Sequence, residues 1–499
     1  MSKSNTQIVS IYWLPCICTI LYLKNKNNEI KSMKMTDIPL EMKQVDVDEF
    51  SSQSETTANN VKNGEYAVAS DEYIHQFPSL FTSKTLIELS NSSWSRSRRA
   101  NNDVQPYLRG CKWSPDGTCC LSVVNNDGVH VTELSRDLYT GYVDPKRIID
   151  VMDSVIHVKE CGLIYDFCWF PLMNSSVPES CCWLTTRQNA PVQMWDAYDG
   201  SLRCSYRGFD AVDQMEPALS VVFSNDGSKI IAGYKKAIRT FDVERPGREF
   251  VEQKANAASA CIDICNNLLA VGSWNTTVSL YSVNVSDNYK SIGVMHGHGG
   301  GVTQVKFTPD GQYLVSGARK DNRLLLWDIR YYRRPLNILS RVVETNQRVY
   351  FDISPCGKYL VSGGTDGVLK VWDEDQVHWK SALEVTEDMG DTATYKFPLH
   401  KDCCNSISLH PLRPILATGS GQYHIRPPVP SSPEKKLHNQ DSTLSMIKKE
   451  SSSDESTIPK QSNKRKYEEC ESPDLEIEYT ENSENSLVFW WIGDVPDLT

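Results

Sequence analysis

The sequence predicts an all-β chain folded as a seven-bladed β-propeller, preceded by a disordered N-terminal region and interrupted in its last blade by a disordered insertion. Three observations carry this. Residues 296–330 (HGHGGGVTQVKFTPDGQYLVSGARKDNRLLLWDIR) read as one whole blade. Pairs of an aromatic and a polar residue recur at a near-constant interval along the middle of the chain. A strongly apolar segment, 487–492 (LVFWWI), returns close to the C-terminus after a long polar stretch.

In residues 296–330, Gly297-His298 stands before a first strand at 302–307, and Pro309-Asp310-Gly311 supplies a tight turn. A second strand at 312–317 leads through the polar turn 319–322 into a third at 323–329, which ends in Trp327-Asp328. Gly-His and Trp-Asp in this register are the signatures of the WD40 repeat. The spacing has a chemical reason. His298, Ser316, Asp321 and Trp327 are expected to form a hydrogen-bond chain through the blade, which tolerates burial only when every member is satisfied. His298 therefore reads as a structural histidine and not as a catalytic base.

Aligned on the third strand, Trp195-Asp196, Phe241-Asp242, Tyr281-Ser282, Trp327-Asp328 and Trp372-Asp373 lie 46, 40, 46 and 45 residues apart. An earlier unit at 110–134 has the turn Ser114-Pro115-Asp116-Gly117 between its strands. Turns of the same kind recur at Asn225-Asp226-Gly227 and Pro355-Cys356-Gly357. That makes six units. The seventh has strands at 405–410 and 414–419, and 487–492 is expected as its third. Residues 85–89, from the N-terminal end, are then expected as its fourth. Pairing strands from both termini removes the open sheet edges.

The expected domains are therefore a low-complexity region at 1–84, the propeller at 85–424, an acidic and Ser-rich insertion at 425–484 and the closing strand at 485–499. Residues 8–23 (IVSIYWLPCICTILYL) are apolar but short of the ~20 residues a membrane span takes. They read as an extension ahead of a start at Met33 or Met35, as a signal or anchor, or as a tail element. The insertion carries Asn463-Lys464-Arg465-Lys466 and Lys435-Lys436, two weak nuclear-localisation candidates that read equally as solvated charge.

The net charge is −11, and more than half of that excess falls in the two polar regions. This argues against blanket affinity for nucleic acid while leaving room for a local basic patch. The sixteen cysteines are scattered and include no CxxC pair, so no metal and no disulfide framework is expected. A reduced, intracellular compartment fits. No phosphate-binding or nucleophile-elbow motif occurs, and the carboxylates Asp310 with Asp321, and Asp196 with Asp199, sit in turns. No enzyme, no cofactor, no small-molecule substrate and no membrane partner is expected.

Propellers bind through the loops at the ends of their blades. The turns after the second strands and the loops entering the first strands share one face. In this chain they supply Arg187, Lys235, Lys236, Trp274, Arg319, Lys320, Arg348 and Lys401. Cations for phosphates and a plane for an unpaired base suit a single-stranded RNA loop better than a duplex. The bland alternative is that these are solvated loop cations and that Trp274 packs on a neighbouring blade.

Several stretches lie outside the signatures of the fold. They include GCKWSPDG at 110–117, YDFCW at 165–169, WDAYDG at 195–200, RPGR at 245–248, SGARKD at 316–321, TNQRVYFD at 345–352, KDC at 401–403, LATGSGQ at 416–422 and Trp490-Trp491. In this order the chain resembles the telomerase Cajal body WD40 family, over roughly 105–424 and the closing strand. The resemblance implies a nuclear, non-catalytic adaptor that recognises the CAB-box loop of small Cajal-body RNAs, telomerase RNA among them. It also implies that the adaptor brings the ribonucleoprotein, with its H/ACA proteins, to Cajal bodies alongside other Cajal-body proteins. The competing reading is a protein-only scaffold, such as the substrate receptor of a ubiquitin ligase, and fold alone does not choose between them.

Overall fold

Each blade is a sheet of antiparallel strands that meander outward from a central channel. The computed structural model describes residues 80–424 and 483–494, except 95–96, 100–101, 140–142, 145, 161, 211, 284–288 and 382–391, together with strands at Gln7–Tyr12, Ile20–Lys24 and Ile30–Lys34. Blade one runs from Leu108–Trp113 through Cys119–Val124 and Gly128–Glu133 to Ile156–Val158. Blades two to six begin at Ile164–Trp169, Ser220–Phe223, Ser259–Cys265, Val302–Phe307 and Phe351–Ile353, and blade seven at Cys404–Leu409. Successive first strands lie against one another around the channel.

Local chemistry sets the turns between first and second strands. Ser114 Oγ donates to Asp116 at 2.6 Å, and Asp116 in turn accepts from the Thr118 amide at 3.1 Å. Ser224 with Asp226, and Thr308 with Asp310, repeat the arrangement. The fourth residue is glycine each time, with φ of 71° at Gly117, 72° at Gly227 and 66° at Gly311. This left-handed conformation is strained for residues with a Cβ.

Neighbouring blades are tied by carboxylates on the first strands. Asp166 accepts from the Val221 amide at 3.1 Å, Asp263 from Phe307 at 2.7 Å and Asp352 from Leu409 at 2.7 Å. Lys306 pairs with Asp352. Between these polar ties the blades pack apolar faces. Tyr359, Val361 and Leu369 of blade six, for example, pack with Ile407, Leu416 and Trp490 of blade seven.

Blade seven closes the ring with strands from both ends of the chain, Cys404–Leu409, Ile415–Ser420, Ser486–Trp491 and then Ile87–Ser93. Ile87 faces Trp491 and Ser93 faces Ser486 in the final antiparallel pair. The N-terminal strand thus starts and ends later than the 85–89 read from sequence. Its solvent side asks for no apolar residue, so composition alone does not mark its register. A two-residue strand, Asp150–Val151, adds to it in parallel on the outside.

The described end of the N-terminal region lies on the propeller. Leu80 and Phe81 are buried between blades six and seven, and the Phe81 amide donates to the Ile492 carbonyl at 2.8 Å. Gln7–Tyr12, Ile20–Lys24 and Ile30–Lys34 pair as a three-stranded antiparallel sheet. Runs rich in Ile, Tyr and Leu favour this geometry. The rest of 1–79, and 425–482 with its two basic clusters, lie outside the described residues.

In blade five, His298 Nδ1 lies 3.0 Å from Asp321 and its Nε2 lies 2.7 Å from Ser316 Oγ, to which Trp327 Nε1 donates at 2.8 Å. Burial opposes the Asp321 charge, yet hydrogen bonds from His298 and Arg323 hold its carboxyl well below the usual range. Blade seven builds the same chain from distant parts. His400 Nε2 lies 2.8 Å from Thr418 Oγ1, which accepts from Trp490 Nε1 at 2.7 Å, and His400 Nδ1 lies 2.7 Å from Glu484. Glu484, the last residue of the stretch expected to be disordered, is thus the carboxylate of the closing blade.

Glu484 ties stability to pH. Burial raises its pKa, but the hydrogen bonds with His400, Ser486 and the Lys401 amide overcome this and bring it down to about 2 from an ordinary 4.5. A depressed carboxylate contributes stability that is present above the unfolded-state pKa and is lost as pH falls through the folded one. Glu484→Gln is therefore expected to lower the melting temperature at pH 7, through a loss of no more than about 3 kcal/mol of stability. The difference from the parent should shrink between pH 4.5 and 2. Melting curves of both proteins across that range check this, and a difference independent of pH counts against it.

Candidate functional site

The mouth of the central channel opens into a cavity of about 610 Å³ on the face that carries the turns after the second strands. Several blades wall it. Aromatic rings come from Tyr107 and Tyr165, from Phe167 and Tyr350 on the inner wall, and from Trp274 and Tyr423 at the rim. Phe167 and Tyr350 are buried, whereas Trp274 and Tyr423 are 46% and 56% exposed. Gly110 makes the inner crowding possible, because a Cβ there would sit 2.8 Å from the Phe167 ring and 3.2 Å from Tyr350.

Three arginines, Arg109, Arg319 and Arg348, converge among these rings. Arg348 is anchored. It donates to the Ala260 carbonyl at 3.0 Å, to the Tyr350 hydroxyl at 3.2 Å and to Asp166 at 3.3 Å. Burial works against its charge, but Tyr350 and Asp166 hold its pKa above the ordinary value. For Arg319 and Arg109 the balance is reversed, although Tyr107 works against the fall at Arg109. Burial pulls both below the ordinary arginine value, and the Arg348 charge adds to the fall in each. The Arg319 guanidinium lies 5.5 Å from the centre of the Trp274 ring.

Polar atoms around the cavity are left unsatisfied. Arg109 Nη1, Arg319 Nε, Thr345 Oγ1 and both ends of the Gln347 amide are buried and have no hydrogen-bond partner among the described residues. An unpaired buried donor or acceptor costs ~1–3 kcal/mol. Such atoms gathered at one cavity offer donors and acceptors to a polar ligand. The cationic charge and the rings favour one that is anionic and has flat faces.

Of the residues picked from sequence, Trp274, Arg319 and Arg348 line this cavity. Lys320 is exposed in the adjoining turn at φ 47°, its amide donating to the Thr345 carbonyl at 3.3 Å. Lys401 is exposed beside blade seven, and Lys235 and Lys236 are exposed in the corresponding turn of blade three. Arg187 is held by Glu160 at 3.4 Å and by Gln193 at 3.2 Å. Those five do not line the cavity. Sequence reasoning passed over Arg109, Tyr107, Tyr350 and Gln347, which enter from inner strands and their leads. The stretch TNQRVYFD, which holds five of the lining residues, was the available signal.

The WD domain, G-beta repeat family matches residues 289–328 and 344–373. A Drosophila melanogaster protein named Telomerase Cajal body protein 1 homolog is 42% identical over 379 residues, covering 74% of this chain and 66% of the relative. Telomerase Cajal body protein 1 of Mus musculus is 38% identical over 359 residues, 70% of this chain and 64% of the relative. That of Homo sapiens is 33% identical over 416 residues, 82% of this chain and 67% of the relative. The chain thus spans about two thirds of the length of these relatives, and 64% in the mouse case.

Proposed function

We propose, for a chain that belongs to the telomerase Cajal body protein 1 family of WD40 proteins, that it is a non-catalytic RNA-binding adaptor whose channel mouth takes an unpaired RNA loop. The observation that carries this is the cavity, where three converging arginines, six aromatic rings and unsatisfied buried polar atoms meet in a protein of net charge −11. Guanidiniums hold phosphates, rings stack splayed bases, and the free amide of Gln347 offers a donor and an acceptor to a base edge. A duplex presents stacked bases and does not fit a cavity of this size.

The finer reading follows from the family. The RNA is a small Cajal-body RNA bearing a CAB-box loop, with telomerase RNA a further client. The adaptor works in the nucleus, joins H/ACA ribonucleoproteins and brings them to Cajal bodies. Crosslinking the protein in cells and sequencing the bound RNA tests this. Reads centred on short loops of small Cajal-body RNAs are expected, with crosslinked peptides containing Trp274 or Tyr350. Recovery of the protein with a ligase complex and no RNA would favour the scaffold reading instead.

A further inference from the structure

The loop after the third strand of blade five, residues 329–335 (IRYYRRP), leans over the outermost strand of blade four, Tyr289–His296. It emerges on the side of the propeller opposite the cavity, because Arg323–Asp328 starts beside the Lys320 turn on the cavity face and runs away from it. The loop is locked in place. The Asp328 carboxylate accepts from the Arg330 amide at 2.9 Å and grips the Arg330 guanidinium at 2.9 and 2.7 Å. Tyr332 donates its hydroxyl to the Ile292 carbonyl at 2.9 Å. Its ring lies on Gly293, where a Cβ would sit 2.2 Å away.

This anchoring presents side chains that nothing in the propeller uses. Tyr331 is 76% exposed beside its docked neighbour. Arg333 and Arg334 are exposed and make no hydrogen bond or ion pair among the described residues. Lys290 joins them from blade four. It pairs with Ser282, two residues along from Leu280, the partner of Gly293, so Lys290 shares with Gly293 the sheet face turned to blade five. Residues 289–298 and 329–340 together hold four Lys or Arg and no Asp or Glu, in a chain of net charge −11. Asp328 neutralises Arg330 alone, which leaves Lys290, Arg333 and Arg334 uncompensated.

We propose that this rim of blades four and five is a docking surface for an acidic segment of a partner polypeptide. Guanidiniums take carboxylates in bidentate pairs, and the uncompensated charge here is complementary to several of them. Tyrosine and arginine are the side chains that concentrate binding energy in protein interfaces, tyrosine because it offers a large rigid contact at small entropic cost. The backbone is already fixed through Asp328 and Tyr332, so little remains to be ordered on binding. Single-stranded nucleic acid asks instead for successive rings along a basic groove, and this loop exposes the ring of Tyr331 while Tyr332 is docked. The rim lies away from the channel mouth, so a partner here and an RNA loop there can be held at once. The surface does not depend on the RNA reading.

The test uses the full chain and a fluorescent peptide of alternating Asp and Glu around a central Phe, titrated by anisotropy at low salt. The parent should bind it. Arg333→Glu/Arg334→Glu should weaken binding at least about ten-fold, and Tyr331→Ala several-fold with the salt dependence unchanged. Both rim variants should melt with the parent, because the three positions are exposed. Lys235→Glu/Lys236→Glu and Arg319→Ala/Trp274→Ala, on the cavity face, should bind the peptide as the parent does, which separates this surface from the RNA site. No binding by the parent, or equal binding by the rim variants, overturns the proposal. So does an equal loss in Lys235→Glu/Lys236→Glu, which would mark general charge attraction. If the rim variants lose affinity for single-stranded oligouridylate and keep it for the peptide, the rim is a nucleic-acid surface and the proposal falls.

Discussion

A chain ending at Glu484 is expected to be recovered as aggregate or not at all. The strand Ser486–Trp491 is third in blade seven, between Ile415–Ser420 and the N-terminal Ile87–Ser93. Losing it leaves two unpaired edges, and the N-terminal strand has nothing on which to dock. Leu487, Val488, Phe489, Trp490, Trp491 and Ile492 are all buried. At ~1.5–3 kcal/mol for each buried side chain, roughly 9–18 kcal/mol disappears with them. That matches or exceeds the whole stability of an ordinary domain, ~5–15 kcal/mol. The polar chain goes too, because Trp490 is the donor to Thr418 in the His400 network. A control lacking only 495–499 keeps Asp494, which accepts from Thr82 at 2.7 Å, and should melt with the parent. Soluble expression and a cooperative melt of the longer truncation would show that the ring closes by other means.

That closing blade also shows where sequence reading reaches its limit. The apolar run 487–492 announced a buried strand because consecutive large side chains have no other reason to sit beside a low-complexity stretch. Its N-terminal partner was located only approximately, since IELSNSS carries one half-buried face and little alternation. The histidine network of blade five was legible because all four members lie within thirty residues and in register with the Asp-Gly turn. Its counterpart in blade seven was not, since Glu484 is separated from His400 by the whole insertion and only the paired strands bring them together. The candidate site divides in the same way. Loop positions are read from the repeat, so Trp274, Arg319 and Arg348 could be named. Arg109 and Tyr107 enter the cavity from the innermost strand of blade one and the residues before it, where a periodic pattern says only that side chains alternate. Lys235, Lys236 and Lys401, named from the same loop positions, do not line the cavity.

The arrangement of the three arginines decides how the RNA site is to be tested. Removing Arg348 would strip Asp166 and Tyr350 of a buried partner, so a loss of RNA binding there would be confounded with damage to the channel wall. Arg319 and Trp274 are better choices. Arg319 carries an unsatisfied Nε, Trp274 is half exposed, and the guanidinium lies over the indole ring. The double variant Arg319→Ala/Trp274→Ala is expected to keep the circular dichroism spectrum and melting temperature of the parent within a degree or two. Its affinity for a CAB-box loop RNA should fall by about one to two orders of magnitude, since base stacking contributes ~1–3 kcal/mol per base. The two losses are separable by salt. Arg319→Ala alone should flatten the dependence of log affinity on log salt by ~0.7 if it holds one phosphate of a single strand, whereas Trp274→Ala should weaken binding with the slope unchanged. Lys235→Ala/Lys236→Ala, on the same face but outside the cavity, is the matched control and should change affinity little. Unaltered affinity and slope in the Arg319/Trp274 double variant, with the fold intact, would remove the cavity as the RNA site and return the search to the outer loops.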